Sequence, residues 1–409
     1  MSGPHILVLN VFFAPQTYGG ATVVAEEVAH ALRRRHGCRI TALSLVSRAE
    51  LAPYALIKAE VRGIESYLVN IPLERPWAES YNNPALAQRV GEICDTLGPD
   101  LVHVHCVQDM GAGVIEAARA RDLPVILSVH DFWWICERQF MIRVDDRYCG
   151  QSRVTPEGCR TCVASVSAAR TRRAYLLGQA ALADRVTYPS RFALELCEAS
   201  GLAPGRGAVW ENGVRLPGRD FFAAQAARRA AAPDLAFGYL GGPAHIKGWP
   251  LMRRAFAGLG RRDFSVHLVD GDLSGGWWKG QDFSDLPGRW HVHPRFAQDR
   301  MDEFYARIDV LFFLSQWKET FGLAIREALA RGIRVIQTDS GGTVEHGAAC
   351  PGDLIPIGSG PEPVRHRIAA ELEQGQVVTE PRAVAGFDDQ ARAFMDLARP
   401  LLAQRGAAA

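Results

Sequence analysis

Two glutamates separated by seven residues, Glu319 and Glu327, lie in the stretch of the chain that offers most chemistry, Ser315-Gln-Trp-Lys-Glu319-Thr-Phe-Gly-Leu-Ala-Ile-Arg-Glu327. The apolar run Val310 to Leu314 before it predicts a strand, and a helix is expected to begin near Thr320. On that reading the backbone N–H groups of Phe321, Gly322 and Leu323 open a helix and form an anion site. Gly322 lets a phosphate come close to the backbone. Along a continuous helix the two carboxylates stand roughly 12 Å apart, at ~1.5 Å per residue. A carboxylate pair working on one glycosidic bond wants about 5 to 9.5 Å. The wider spacing suits the two ends of a nucleotide sugar with its diphosphate between them. A plainer reading makes Glu319 a helix-start charge and Glu327 a solvated one, and spacing does not choose between the two.

The elements that must position these residues alternate between apolar runs and helical patterns. Ile6 to Phe12 predicts a first strand, a loop ends in Tyr18-Gly19-Gly20, and Ala21 to Arg35 follows with Val24, Val28 and Leu32 on one helical face. Arg33, Arg34 and Arg35 at its end either complement the helix dipole or meet anionic lipid. A second opening of the same kind begins at residue 235. Leu235 to Leu240 reads as a strand, Gly241-Gly242 begin a loop that ends in Lys247-Gly248, and Trp249 to Leu259 reads as a helix. Leu101 to His105, Val125 to Val129, Val186 to Pro189, Val266 to Val269, Val310 to Leu314 and Val335 to Thr338 are further strands. Such alternation predicts an α/β protein with parallel sheets and crossover helices. Two sheets imply two Rossmann-like domains facing a central cleft, with ligands at the carboxyl ends of the strands. The turn formers in Glu211-Asn212-Gly213-Val214 place the boundary. The expected units are 1–212, 213–383 and a terminal segment 384–409. The Ala/Arg-rich run 223–232 reads as a surface helix of the second domain. The last helix, Asp388 to Leu402, is expected to return to the first domain with Ala391, Phe394, Leu397 and Leu401 on one face.

Composition narrows the function classes. The chain has 409 residues, which favours two domains. A net charge of +1 gives no basic face for nucleic acid. No run reaches the ~18 to 20 apolar residues of a membrane span. The N-terminal His5-Ile-Leu-Val-Leu-Asn10 lacks a basic leader and reads as a strand, so a cytoplasmic protein is expected, with peripheral contact at the inner membrane face through the basic helix end. Cys38, Cys94, Cys106, Cys197 and Cys350 are scattered and read as small buried hydrophobes. Cys136, Cys149, Cys159 and Cys162 cluster in a polar loop, 136–162. With the zinc-knuckle spacing of Cys159-x-x-Cys162, they predict a structural four-thiolate zinc site. An iron–sulfur cluster, two disulfides and unliganded thiols are the alternatives. No G-x-x-x-x-G-K-[ST] loop is present, and neither Gly19-Gly20 nor Gly111-Ala-Gly113 completes a dinucleotide fingerprint.

The ordered set of motifs resembles the family 4 retaining glycosyltransferases of the GT-B fold. Glu319 and Glu327 match an E-x7-E signature. Tyr18-Gly19-Gly20, Asp100-Leu-Val-His103-Val-His105, Ser128-Val-His130-Asp131, Pro189-Ser190-Arg191-Phe192, Asn212-Gly213-Val214, Lys247-Gly248 and Gly341-Gly342-Thr-Val-Glu345 are similar to further landmarks in family order. The resemblance implies transfer of a sugar from a nucleotide-sugar donor, a UDP-sugar by family habit, to a glycan or lipid-linked acceptor, with no cofactor required for the chemistry. It implies that Glu319 touches the sugar hydroxyls and Glu327 the ribose. It also implies that Lys247, with Phe321, Gly322 and Leu323, holds the diphosphate, and that His130 lies near the anomeric centre. Gly19, Gly20 and Gly242 line the donor loops. One departure stands out. The family's arginine after the second-strand glycine is absent from Gly241-Gly242-Pro243-Ala244, and His245 or Arg295 is left to replace it. A nucleotide-sugar epimerase of the same fold and a non-catalytic nucleotide-sugar-binding protein are the alternatives. Aromatic residues of the first half (Phe12, Phe13, Tyr18, Trp77, Tyr81, Trp133, Trp134) suit either sugar stacking or the core.

Overall fold

The computed structural model describes residues 3–272, 274–346 and 351–408. The chain divides into two compact units. One comprises residues 1–140, 150–213 and 385–409; the other comprises 141–149 and 214–384.

The first unit holds eight strands: β1 (His5–Leu9), β2 (Arg39–Val46), β3 (Leu56–Val61), β4 (Ile64–Asn70), β5 (Leu101–Val104), β6 (Val125–Ser128), β7 (Arg185–Tyr188) and β8 (Gly207–Val209). They form one sheet in the order β3-β4-β2-β1-β5-β6-β7-β8, with every pairing parallel except β3 with β4. Helices cover both faces of a parallel sheet, which is why β1, β5 and β6 are apolar at nearly every position and buried throughout. The β3–β4 hairpin, absent from the sequence reading, turns through Arg62 and Gly63, both with positive φ. That turn matches the twist of the flanking strands. β3 alternates exposed and half-buried residues at the sheet edge and so carries little apolar signal.

The helix Gly20–His36 buries Val24, Val28 and Leu32 and stops at the left-handed Gly37, whose N–H bonds the Leu32 carbonyl. The terminal helix Phe387–Ala408 belongs to this unit. It buries Ala391, Phe394, Ala398 and Leu401. Gln390 receives the Gly213 N–H at 2.7 Å and the Trp210 indole N–H at its carbonyl at 3.0 Å. Asp388 pairs with Arg34 and, at 2.7 Å, with Arg35, and Arg33 donates to the Arg62 carbonyl at 3.0 Å, so all three arginines at the basic helix end are engaged within the unit.

The second unit holds β9 (Leu235–Tyr239), β10 (Phe264–Val269), β11 (Arg289–His293), β12 (Val310–Phe313) and β13 (Arg334–Gln337). Their order is β11-β10-β9-β12-β13, all parallel. This is the doubly wound order, in which the chain reverses direction across the sheet between β9 and β12. Phe237, Phe256, Phe264 and Phe312 pack against one another in its core. The Ala/Arg-rich run forms the helix Phe221–Ala231, where Arg228 and Arg229 grip the fully buried Asp309 at the start of β12.

Candidate active site

In the second unit the site is built where β9 and β12 end. Tyr239, the last residue of β9, is buried, and its hydroxyl donates to the carbonyl of Gly242 (2.9 Å) or of Lys247 (3.0 Å). One phenol thereby lies within reach of both ends of the Gly-Gly loop and ties down one of them at a time. The loop returns through a single turn, His245–Lys247, to Gly248 at φ 85°. A Cβ on Gly248 would stand 2.1 Å from the Leu314 carbonyl oxygen, so only glycine lets this loop lie against the end of β12. The Gln316 N–H closes the contact by donating to the Ile246 carbonyl at 2.8 Å.

Lys247 and Glu319 meet on this frame. The Lys247 ammonium lies 2.8 Å from Glu319 Oε1, which also receives the Ser315 hydroxyl at 2.7 Å. Lys247 Nζ lies 5.6 Å from the centroid of the Trp317 ring. Between the strand ends is a recess of about 130 Å³ lined by Tyr239, Leu240, Gly241, Lys247, Leu314 and Ser315, among others. Ligands of open parallel sheets bind at such a reversal point.

The helix after Glu319 starts later than the sequence suggests. It spans Leu323–Leu329, not a helix from Thr320. Glu319 instead pairs with Gly341 as an isolated parallel bridge, its N–H on the Ser340 carbonyl (3.1 Å) and its carbonyl on the Gly342 N–H (2.9 Å). Gly322, at φ 85°, then turns the chain into the helix. A helical rise between the two glutamates therefore does not apply, because half of the interval is extended or left-handed. Phe321 is buried, and Gly322 and Leu323 are half-buried at the helix start.

Glu327 is not a solvated charge. Its Oε2 accepts the Tyr305 hydroxyl at 2.7 Å, and burial raises its pKa against the lowering effects of Tyr305 and Arg331. Arg331, fully buried, bonds Asp302 at 2.6 Å and the Glu327 carbonyl at 3.0 Å. Arg326, also buried, ties the helix to the late glycine pair. Its guanidinium donates to the Phe321 carbonyl and, at 3.1 Å, to the Gly342 carbonyl, and lies 3.8 Å from the centroid of the Phe321 ring. Tyr305 and these two arginines escaped the sequence reading. The available signal was Arg326 three residues before Leu329, a charge on the helix's apolar face. His245 and Arg295 are both exposed.

In the first unit His130 follows the end of β6. Its Nε2 lies 2.8 Å from His105 Nδ1; His105 Nε2 lies 3.2 Å from His103 Nδ1, and His103 Nε2 lies 2.8 Å from the Ser128 hydroxyl. Burial lowers the pKa of all three histidines, His130 to about 4. Asp131, whose pKa burial raises, takes the Trp133 N–H (2.8 Å) and the amides of Gln108 (2.9 Å) and Gln139 (2.7 Å), which shapes the following turn. Of the aromatic residues of the first half, Phe13, Tyr81, Trp133 and Trp134 are core, whereas Tyr18 and Trp77 are about half exposed (56% and 47%). Gly19, at φ 81°, and Gly20 are exposed beside Tyr18.

The cysteines separate into two groups. Cys38, Cys94 and Cys197 are buried and Cys106 is half-buried; Cys350 lies outside the described residues. In the polar loop Cys136 is buried and Cys149, Cys159 and Cys162 are half-buried. The Cys162 N–H bonds the Cys159 carbonyl at 2.7 Å, which makes Cys159-x-x-Cys162 a tight turn. Among the described residues no group of three or more His, Cys, Asp or Glu is arranged to hold a metal ion. Cys149 belongs to the segment grouped with the second unit, and the other three belong to the first.

Comparison with known proteins decides the family. The model of Glycosyltransferase Family 4 matches residues 18–216, and that of Glycosyl transferases group 1 matches residues 279–347, which include Glu319 and Glu327. The chain belongs to the family 4 glycosyltransferases, with the GT-B fold. Solved structures agree with this fold along the whole glycosyltransferase. Sucrose-phosphate synthase from Thermosynechococcus elongatus superposes with a TM-score of 0.64 at 16% identity, covering 99% of this chain and 98% of its own. HepE from Anabaena, in complex with UDP and glucose, gives 0.61 at 18%, covering 99% of each chain. Trehalose 6-phosphate synthase from Burkholderia multivorans gives 0.63 at 12%, covering 100% of this chain and 98% of its own. At these identities the likeness speaks for the fold alone. No curated protein matches the sequence of this glycosyltransferase. Lys247 lies between the two family matches, so its place in the site rests on the geometry described above.

Proposed function

We propose that this glycosyltransferase takes its sugar from a nucleoside diphosphate sugar, with UDP as the nucleotide, and transfers it with retention of the anomeric configuration. The observation that carries the reading is the Lys247–Glu319–Ser315 cluster at the reversal point of the second sheet. When the glycosidic bond breaks, its electron pair passes to the diphosphate oxygen. A fixed ammonium and the backbone N–H groups of Phe321, Gly322 and Leu323 stabilise that charge, so the protein itself supplies what a divalent metal supplies elsewhere. Glu319 would exchange part of its bond with Lys247 for hydroxyls of the donor sugar. Glu327, held at one oxygen by Tyr305, would accept the ribose hydroxyls with the other. His130 would bond a sugar oxygen. HepE, in its complexes with UDP and UDP-glucose, supports the choice of donor class.

The acceptor we assign is a glycan or lipid-linked glycan, on the half-exposed Tyr18 and Trp77 of the first unit. Arg33, with Arg34 and Arg35, is the surface we assign to contact with the inner membrane face. No described helix is long and apolar enough to cross a membrane. The test is proton NMR of the product formed from a UDP-sugar in the presence of EDTA. A product with the donor's anomeric configuration supports the reading. An inverted product, abolition by EDTA with rescue by magnesium, or donor conversion without any acceptor contradicts it.

A further inference from the structure

Arg326 is a charge on the inward face of the helix Leu323–Leu329. Its neighbours Ile325, Ala328 and Leu329 are buried, and Arg326 itself is 1% exposed. A guanidinium taken out of water is costly unless its N–H groups find acceptors. Arg326 finds them in two segments of chain, at the Phe321 carbonyl and, at 3.1 Å, at the Gly342 carbonyl. Its guanidinium carbon lies 3.8 Å from the centroid of the Phe321 ring.

Those two carbonyls flank the bridge that carries Glu319. The Glu319 N–H on the Ser340 carbonyl (3.1 Å) and the Gly342 N–H on the Glu319 carbonyl (2.9 Å) are its backbone bonds, and it is one residue pair long. By contrast, β12 and β13 pair over four residues each. Beyond Glu319 the two segments part. Gly322, at φ 85°, leads into the helix, and Gly342 opens the short turn Gly342–His346. Among the described residues the Phe321 carbonyl receives no backbone N–H. The planar fork of Arg326 stands in for the next rung, with one donor for each segment. On the other side of Glu319, the Lys318 ammonium bonds the Asp339 carbonyl and, at 3.0 Å, the Asp339 carboxylate. Glu319 thus sits between two side-chain ties to the same partner segment.

We propose that Arg326 is a positioning residue of the donor site, which staples the Glu319 segment to Gly341–Gly342 and so fixes the direction in which the Glu319 carboxylate faces. The carboxylate's own partners are Lys247 Nζ at 2.8 Å and Ser315 Oγ at 2.7 Å. Both bond Oε1, so where Oε2 faces depends on how firmly the backbone beneath is held. The link to donor recognition rests on the nucleotide-sugar reading of this site; the staple does not. Lysine at this position keeps the charge but loses both the fork and the plane that lies on Phe321.

Two measurements on the whole protein test the proposal. Amide hydrogen exchange reads the staple. In Arg326→Lys the Glu319 and Gly342 N–H groups should exchange about 10-fold faster, while those of β12 keep wild-type rates. Unchanged exchange overturns the staple. A double-mutant cycle reads the link to Glu319. In the native background we expect Arg326→Lys to lower kcat by about 10-fold to 100-fold and to raise donor KM. In a Glu319→Gln background, where the charge to be aimed is already gone, the same change should cost less than about 3-fold. Equal losses in the two backgrounds overturn the positioning role. If Arg326→Lys does not fold, Lys318→Met loosens the same segment from its part-exposed side, and faster exchange with lower kcat is expected there; wild-type values for both overturn the proposal. A wild-type protein that transfers no sugar defeats the reading of function instead, and the exchange rates alone then decide the staple.

Discussion

Replacing Lys247 by alanine separates the work of this residue in turnover from its work in the fold. In the resting protein its ammonium pairs with Glu319 at 2.8 Å, but the lysine side chain remains 36% exposed. A pair so open to solvent contributes about 0 to 1 kcal/mol to stability. Glu319 keeps the Ser315 hydroxyl after the change, and Tyr239 still holds the loop through backbone carbonyls. The fold should therefore lose little. Turnover should lose far more, because leaving-group charge is largest in the transition state. Removing one such stabiliser costs on the order of 100-fold to 1000-fold in kcat, or roughly 2.7 to 4 kcal/mol. Steady-state UDP release at saturating donor, with calorimetric unfolding of the same samples, measures both effects. A variant with unchanged kcat and only a raised donor KM would refute the assignment, since it would show ground-state binding alone.

Three further outcomes follow from individual side chains. Tyr305→Phe removes the hydroxyl from Glu327 and should destabilise the protein by about 1 to 3 kcal/mol, while raising donor KM more than it lowers kcat; unfolding curves and kinetics check both. His30, in the helix Gly20–His36, has its pKa lowered to about 4, chiefly by burial and then by Arg62, so the unfolded chain binds its proton first as pH falls. The stability carried by neutral His30 is thus complete above pH 6.5 and is lost from there toward pH 4. His30→Gln should consequently gain on wild type by about 2 kcal/mol between pH 6.5 and pH 5, read from denaturant midpoints at each pH; a constant difference would disprove this. Elemental analysis of the purified protein should find near one equivalent of zinc if Cys136, Cys149, Cys159 and Cys162 assemble as their spacing suggests, whereas iron with a brown colour, or four titratable thiols and no metal, would exclude zinc.

Much of the fold was legible because buried parallel strands are continuous apolar runs. β1, β5, β6, β7, β9, β10, β12 and β13 all lie within two residues of their expected starts. Of the strands that went unread, β3, β8 and β11 sit at sheet edges, where exposed or half-buried residues leave no apolar run, whereas β2 and β4 lie inside the first sheet, their apolar residues interrupted by Thr41, Ser44 and Ser66. In the site, the loop Gly241 to Gly248 and the pair Glu319 and Glu327 were legible as residues, but their geometry was not. Glu319 leaves the helix because its backbone bridges Gly341, a contact between segments 22 residues apart that no local pattern encodes. Tyr305, which sets the state of Glu327, comes from a different helix. The histidine chain likewise joins β5, β6 and β7, and no periodicity links their ends.

If the Lys247–Glu319 site receives a nucleoside diphosphate sugar, binding there leads to transfer. The most direct measurement incubates purified wild-type protein and Lys247→Ala with a panel of nucleotide sugars and candidate glycan acceptors. It follows nucleotide release and acceptor mass together, with EDTA present throughout. One UDP-sugar should yield UDP and an acceptor heavier by one glycosyl residue in equal amounts, and Lys247→Ala should slow both by at least about 100-fold. Binding of no nucleotide sugar by the wild-type protein, or equal rates for the two proteins, would contradict it.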